Sequence, residues 1–283
     1  MADQRVNNDI FTQQQAAAAG IMSRNVMKDD FGIEVAAETV PLPSAGLIYP
    51  ADSALYKAET IEIKAMTARE EDILTSRALI KKGTVITELL KSCMLDKSID
   101  VDSMISGDRN AIMTAIRITG YGSTYSCEVN CPICGETNKQ DFDLAELPIK
   151  RLQIEPAVEG ANLFSYALPM SKKVVQFKFL TGRDESEISQ ELDRRKKKLG
   201  LETESLITTR LQYSIISIEG IKDKGKIAQF IRNMPAGDSR SLRKYMDDNE
   251  PGIEMKADMV CSSCSEQSEV RLPMGASFFW PDT

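Results

Sequence analysis

Four of the six cysteines in this chain of 283 residues form two Cys-x-x-Cys pairs, Cys131/Cys134 and Cys261/Cys264. Each pair lies between two extended, partly alternating stretches, STYSCEVNCPICGETNKQDFDL (123–144) and GIEMKADMVCSSCSEQSEVRL (252–272). A thiolate pair of this spacing at the tip of a strand–turn–strand unit is a zinc knuckle, and two knuckles supply the four sulfurs of one tetrahedral site. Residues 135–260 lie between the pairs, so a shared metal would join remote parts of the chain and not build a free-standing finger. Four thiolates leave no open coordination position, so the expected role is structural, not catalytic. Cys127 offers a fifth thiol in C-x-x-x-C-x-x-C, but Ala257 stands at its counterpart, which excludes it as a required ligand. Cys93 falls on an apolar helical stripe and is expected to be a core thiol.

Composition narrows the chemistry further. Hydrophobic content of 42% and charged content of 27% suit a globular chain with room for proper cores. The absence of histidine removes Ser-His-Asp and Cys-His nucleophiles, His-ligated catalytic zinc and the facial-triad iron site. A net charge of −7 argues against a protein whose main business is gripping phosphate backbones. No apolar run reaches the roughly 18 residues of a membrane span, and the opening MADQRVNNDIF lacks signal-peptide form. The expectation is a chain made in the reducing cytosol, where paired cysteines bind metal and do not form disulfides. GIKDKGKI (220–227) fits G-x-x-x-x-G-K but puts Ile227 where magnesium needs Ser or Thr, so nucleotide binding is rejected. RRKKK (194–198) closes a helix that begins acidic, and it reads as a solvated face with pairs such as Glu191–Arg195.

The elements that must position the cysteines occur twice. IEIKAMTAREE (61–71) lies over VQFKFLTGRDE (175–185) without a gap, with Lys64/Lys178, Thr67/Thr181, Arg69/Arg183 and Glu71/Glu185 identical. Both blocks read as a strand running into a helix, with Thr67/Glu70 and Thr181/Asp184 at capping-box spacing. Further on, GDRNAI (107–112) matches GDSRSL (237–242), and the knuckles match at that same offset. The opening blocks stand closer together, which places the extra residues of the second copy around 193–205. Three matches in one order predict an α+β protein of two internally duplicated strand–helix–helix–knuckle units. A shared four-cysteine, zinc-ribbon-like site would join them on or near a pseudo-two-fold axis.

The predicted organisation is an extended N-terminal arm (1–40), a Pro-containing extended segment (41–59), a first repeat (60–150), a second repeat (151–275) and an aromatic tail (276–283). The first repeat should hold a strand at 60–66 and helices at 68–81, 84–94 and from Asp108 to a stop at GYG (120–122). The second should hold strands at 163–168 and 174–180, then helices at 184–199, 204–218, 225–233 and 238–247. VPLPSAGLIYP (40–50) is apolar enough to lie in a groove, which makes Leu47 and Tyr49 candidate partner contacts. Phe278, Phe279 and Trp280 would be sticky if exposed, so they are either tucked into the core or anchored in a partner.

The set PLPSAGLIYP, IKAMTAREEDILTS, GDRNAI…RITGYG, a C-P-x-C-G knuckle, a second Cys-x-x-Cys and LPMGASFFWP resembles the baseplate hub and hub-assembly proteins of T4-like contractile-tailed bacteriophages. The resemblance covers about residues 40–281. It implies a non-enzymatic protein that helps build the central baseplate through contacts with other hub and tail proteins. It further implies a place in the tail of the virion after assembly in the host cytoplasm, with no small-molecule substrate. The alternative from the cysteines is a zinc-ribbon nucleic-acid-binding regulator, disfavoured by acidic charge and the scarcity of Lys and Arg around the knuckles.

Overall fold

A computed structural model describes residues 25–28, 34–199, 206–274 and 276–279. The chain opens with β1 (Asn25–Lys28) and β2 (Glu34–Pro41), which pair antiparallel with each other. β2 then pairs with β3 (Thr60–Lys64), whose alternation buries Ile61 and Ile63. The boundary expected at residue 40 therefore falls inside a strand, and Val40 belongs to the core. The rest of the expected arm, apart from 25–28 and 34–40, lies outside the described residues.

Three short helices follow, α1 (Ala68–Thr75), α2 (Arg77–Lys82) and α3 (Val85–Cys93). The single helix expected over 68–81 is broken at Ser76, whose backbone is extended (ψ 105°). Helix α4 (Ser106–Tyr121) ends at Gly122, and its middle is buried all round, with Ala111, Ile112, Ala115, Ile116 and Arg117 in the core. Next come β4 (Thr124–Asn130) and β5 (Thr137–Asp143), an antiparallel hairpin, and then the short β6 (Ile149–Lys150).

The later part of the chain is again a mixture of strands and helices. β7 (Phe164–Ala167) and β8 (Val174–Phe177) form a hairpin, followed by α5 (Gly182–Leu199) and α6 (Leu206–Ser214). The helix expected to run to 218 stops at Ser214, and β9 (Ile215–Ile218) adds to the edge of β8. Three isoleucines in four residues favour the pleated surface over a helix, which overrides the helical pattern. α7 (Lys224–Asn233) and α8 (Ala236–Asn249) follow, then β10 (Gly252–Ile253), which pairs with β6. The hairpin of β11 (Lys256–Val260) and β12 (Gln267–Arg271) leads to a last helical turn at Ala276–Phe279.

Several local arrangements occur in both halves. The Thr67 N–H and hydroxyl donate to Glu70 at 2.9 and 2.6 Å, and Lys64 Nζ lies 2.7 Å from the same carboxylate. Thr181 and Lys178 do the same to Asp184, at 2.9, 2.7 and 2.7 Å. In the first turn of α4, buried Asp108 accepts from the Ser44 N–H (3.0 Å) and hydroxyl (2.6 Å), in the turn after β2. In the first turn of α8, buried Asp238 accepts from the N–H groups of Met170 (2.7 Å) and Ser171 (3.0 Å), in the turn after β7. A carboxylate at a helix N-terminus satisfies loop amides and complements the helix dipole together, so it pins a hairpin to a helix.

The halves meet where Ile105 bridges Thr181. The Ser106 N–H donates to the Leu180 carbonyl (2.8 Å) and the Gly182 N–H to the Met104 carbonyl (2.9 Å). Gly107 lies against Pro251, whose carbonyl oxygen would stand 1.7 Å from an added Cβ, so only glycine fits there. Among the described residues no helix is long and apolar enough to cross a membrane.

Candidate metal centre

The two cysteine hairpins are built alike. Asn130 pairs with Thr137 and Val260 with Gln267, so each Cys-x-x-Cys turn closes the same register. The Cys131 N–H donates to the Glu136 carbonyl (2.8 Å) and Cys261 N–H to that of Glu266 (3.0 Å). Each turn needs a left-handed residue, supplied by Gly135 (φ 78°) in one and Ser265 (φ 60°) in the other. Alternation points Tyr125, Cys127, Val129 and Phe142 inward, with Met259, Val270 and Leu272 on the second hairpin, and these apolar faces hold the turns in place.

The structure brings Cys131, Cys134, Cys261 and Cys264 together, with all four sulfurs within 4.8 Å of one another. Cys131 Sγ is 3.8 Å from Cys264 Sγ, and Cys134 Sγ is 3.6 Å from Cys261 Sγ. Four sulfurs each about 2.3 Å from one ion stand about 3.8 Å apart in a tetrahedron, so the donor set fits a small cation. A disulfide needs about 2.05 Å, and all six cysteines are free thiols. Cys127 is buried outside the cluster, and burial pushes its thiol up to about 11. Cys93 is likewise a core thiol, raised to about 12 first by burial and then by the Glu70 charge.

The electrostatics divide the four sulfurs into unlike pairs. Amides of Cys134 and Ile133 aim at Cys131 and hold it below the ordinary thiol range. Those of Cys264 and Ser263 hold Cys261 down to about 6. Cys134 accepts from the Glu136 amide, yet burial and the Cys261 sulfur push it up to about 12; Cys264 is raised against the pull of the Glu266 amide. A bound cation would hold all four sulfurs as thiolates and displace their remaining protons.

Sequence reasoning missed Asn138. Its side-chain N–H donates to the Glu136 carbonyl (3.0 Å) and toward Cys261 Sγ (3.5 Å). Its oxygen accepts from the Ser262 N–H (2.8 Å) and hydroxyl (2.7 Å), so it clasps the second knuckle from the first. The signal was available: alternation in TNKQDFD turns Asn138 inward with Phe142, and an inward amide needs polar partners. At the corresponding place in the second hairpin the Ser268 hydroxyl is buried with no hydrogen-bond partner among the described residues.

The candidate partner residues fare differently. Leu47 is 43% exposed, whereas Tyr49 is buried and gives its hydroxyl to Asp108 (2.6 Å) while accepting from the Ile105 N–H (3.2 Å). Tyr49 as a partner contact is therefore corrected: it locks α4 to the segment after β2. Phe278 and Phe279 are corrected in the same way, because both are in the core. The Phe278 ring meets Tyr125 edge-on at 5.2 Å, and buried Arg117 donates to the Phe278 carbonyl (3.0 Å). Trp280 lies outside the described residues. In the rejected phosphate-loop candidate, Asp223 caps α7 by accepting from the Lys226 N–H (2.8 Å), which occupies a donor a phosphate would use. On the α5 helix Arg195 pairs with Glu191, as its i,i+4 spacing predicts.

A mixed α and β fold thus brings four thiols close enough together to hold one metal ion. The family model for the T4 bacteriophage base plate protein matches residues 47–280, and the chain belongs to that family. No curated protein and no solved structure matches the chain. The family makes it a structural component of a phage tail baseplate that works in contact with other tail proteins.

Proposed function

We propose that this protein is a structural or assembly component of the central hub of a contractile phage baseplate, built in the host cytoplasm and stiffened by one structural zinc. The family match over residues 47–280 carries the baseplate reading. The four-sulfur cluster supports the metal: the donors are all thiols, and zinc is a cation that such a tetrahedral set takes without redox chemistry. Cys131, Cys134, Cys261 and Cys264 would hold it, and its only part would be to tie the two hairpins together.

The paired capping boxes, the paired buried aspartates and the equal hairpin registers support reading residues 60–150 and 151–275 as two copies of one unit. Exposed Leu47 and the tail residue Trp280 remain candidate contacts with neighbouring hub proteins. The exposed tips of the knuckles carry Ile133, Glu136, Ser263 and Glu266, a surface that suits a protein neighbour better than a phosphate backbone.

Quantitative mass spectrometry of purified infectious particles tests the baseplate reading. A fixed small copy number relative to known tail proteins is the expected result for a structural subunit. Absence from particles with abundance in infected cells would make it an assembly factor that leaves. Metal analysis of the purified chain should return one zinc per chain, and a different metal or none at all would remove the zinc.

A further inference from the structure

The joint between the two halves is used once, although both of its sides are present twice. On one side stand Met104–Ser106, and on the other Leu180–Gly182. By position in the two copies, their counterparts are Met234–Ala236 and Met66–Ala68. The backbone of the first pair is the same: Met104 has φ −66° and ψ 142° and Met234 φ −63° and ψ 132°. Ile105 has φ −64° and ψ 152°, and Pro235 φ −52° and ψ 137°. The Met104 and Met234 N–H groups each donate back to the residue three earlier, both at 3.4 Å. Thr67 and Thr181 begin their helices with the same carboxylate cap.

The environments differ. Met104, Ile105, Gly107 and Gly182 are buried, whereas Ala68, Ala236 and Gly237 are exposed and Met66, Met234 and Pro235 half-buried. The Met66 and Met234 carbonyls and the Ala68 and Ala236 N–H groups make no backbone hydrogen bond among the described residues. These are the counterparts of the four groups that pair at the inner joint.

We propose that Met234–Ala236 of one chain pairs with Met66–Ala68 of a second copy, repeating the inner joint head to tail between molecules. The proposal rests on reading the halves as copies. Its chemistry is consistent at two places where the copies differ. Pro235 lacks an N–H, but the N–H of Ile105 goes to the Tyr49 hydroxyl and takes no part in the joint. At the inner joint residue 182 must be glycine, because an added Cβ would lie 2.1 Å from the guanidinium of Arg109. That group is held in place by the Val101 carbonyl (2.8 Å) and Thr87 (3.0 Å). At the outer joint Ala68 would face Ser239, the counterpart of Arg109, so the methyl group has room. The Arg183–Asp100 ion pair of the inner joint (3.1 Å) has no outer counterpart, since Phe230 stands at the place of Asp100. The outer contact is therefore weaker and nearly insensitive to salt. A joint of two unlike sides is heterologous, so it builds a ring if its rotation closes and a filament if it does not.

Sedimentation of the full metal-loaded chain over a range of concentrations tests this. The wild type should associate as concentration rises to the millimolar range, and Ala68→Glu and Ala236→Glu should each stay monomeric. Both substitutions place a carboxylate in a helix first turn, where it suits the dipole, and circular dichroism checks that each variant folds. An equimolar mixture should form a one-to-one dimer, because each variant keeps the side that the other has lost. Three results overturn the proposal: a wild type monomeric throughout, single variants that still associate, or a mixture that stays monomeric. None of them touches the particle measurement above, and absence of the chain from particles leaves this joint untouched.

Discussion

At the cysteine cluster Cys131 faces Cys264 and Cys134 faces Cys261, so each hairpin contributes the same two positions. At the joint between the α/β bodies, Met104–Ser106 meets Leu180–Gly182 while the corresponding residues of the opposite halves do not meet. The first contact is closed and the second leaves one side of each kind open. The difference teaches that sequence likeness within one chain does not impose one symmetry on all its parts. Two short hairpins of the same register can present their cysteine turns to each other from both sides. At the joint the backbone pairing of Met104–Ser106 with Leu180–Gly182 is made once only among the described residues.

Removing a cysteine pair should break the closed contact most. Cys131→Ser with Cys134→Ser, or Cys261→Ser with Cys264→Ser, should each abolish all metal binding, with a stability loss bounded by about 10 kcal/mol. Metal content and denaturant midpoints check this, and equal losses from the two pairs are expected. Gly182→Ala should cost about 1–3 kcal/mol, because the methyl group meets a fixed Arg109. Ala68→Gly at the corresponding place should cost only about 1 kcal/mol, the ordinary propensity loss. Equal effects in thermal unfolding would remove the one-sidedness.

Acid should weaken the capping boxes of both halves alike. Burial raises Glu70, but the Lys64, Ser92 and Thr67 donors outweigh it and bring its carboxyl down to about 2; Asp184 is also lowered despite burial, by Lys178 and Thr181. A depressed folded value means stability present above the ordinary carboxylate range and lost as pH falls through the folded value. Unfolding midpoints should therefore drop between about pH 4.5 and about pH 2. Glu70→Gln should flatten part of that dependence. The smallest effect separates the two hairpins: Asn138→Ala should cost about 1–2 kcal/mol by stripping Ser262 of its acceptor, while Ser268→Ala should be neutral or stabilising.

Much of the candidate site was legible because cysteine spacing is a local property. The Cys-x-x-Cys turns, the alternating strands around them and the Thr67 and Thr181 capping boxes follow from residues within a few positions of each other. The Leu206–Ser214 helix was legible, but its end was not. Ile215–Ile218 became a strand because the edge of β8 lay open beside it. Ser76 broke a helix that periodicity would have continued, and no local residue marks the break.

The sequence alone determined which groups could bind a cation and which chemistry was unavailable, since a chain without histidine has no imidazole to place anywhere. It also determined the Thr67 and Thr181 capping boxes and the two Cys-x-x-Cys turns, because each of those is set by short-range sterics and hydrogen bonds. Only the tertiary structure decided that Tyr49 and Phe278 face inward, since both needed partners far along the chain in Asp108, Ile105 and Arg117. It alone decided that Met104 and Ile105 would be covered, because they meet Leu180–Gly182 far along the chain, whereas Met234 and Pro235 stay half-buried.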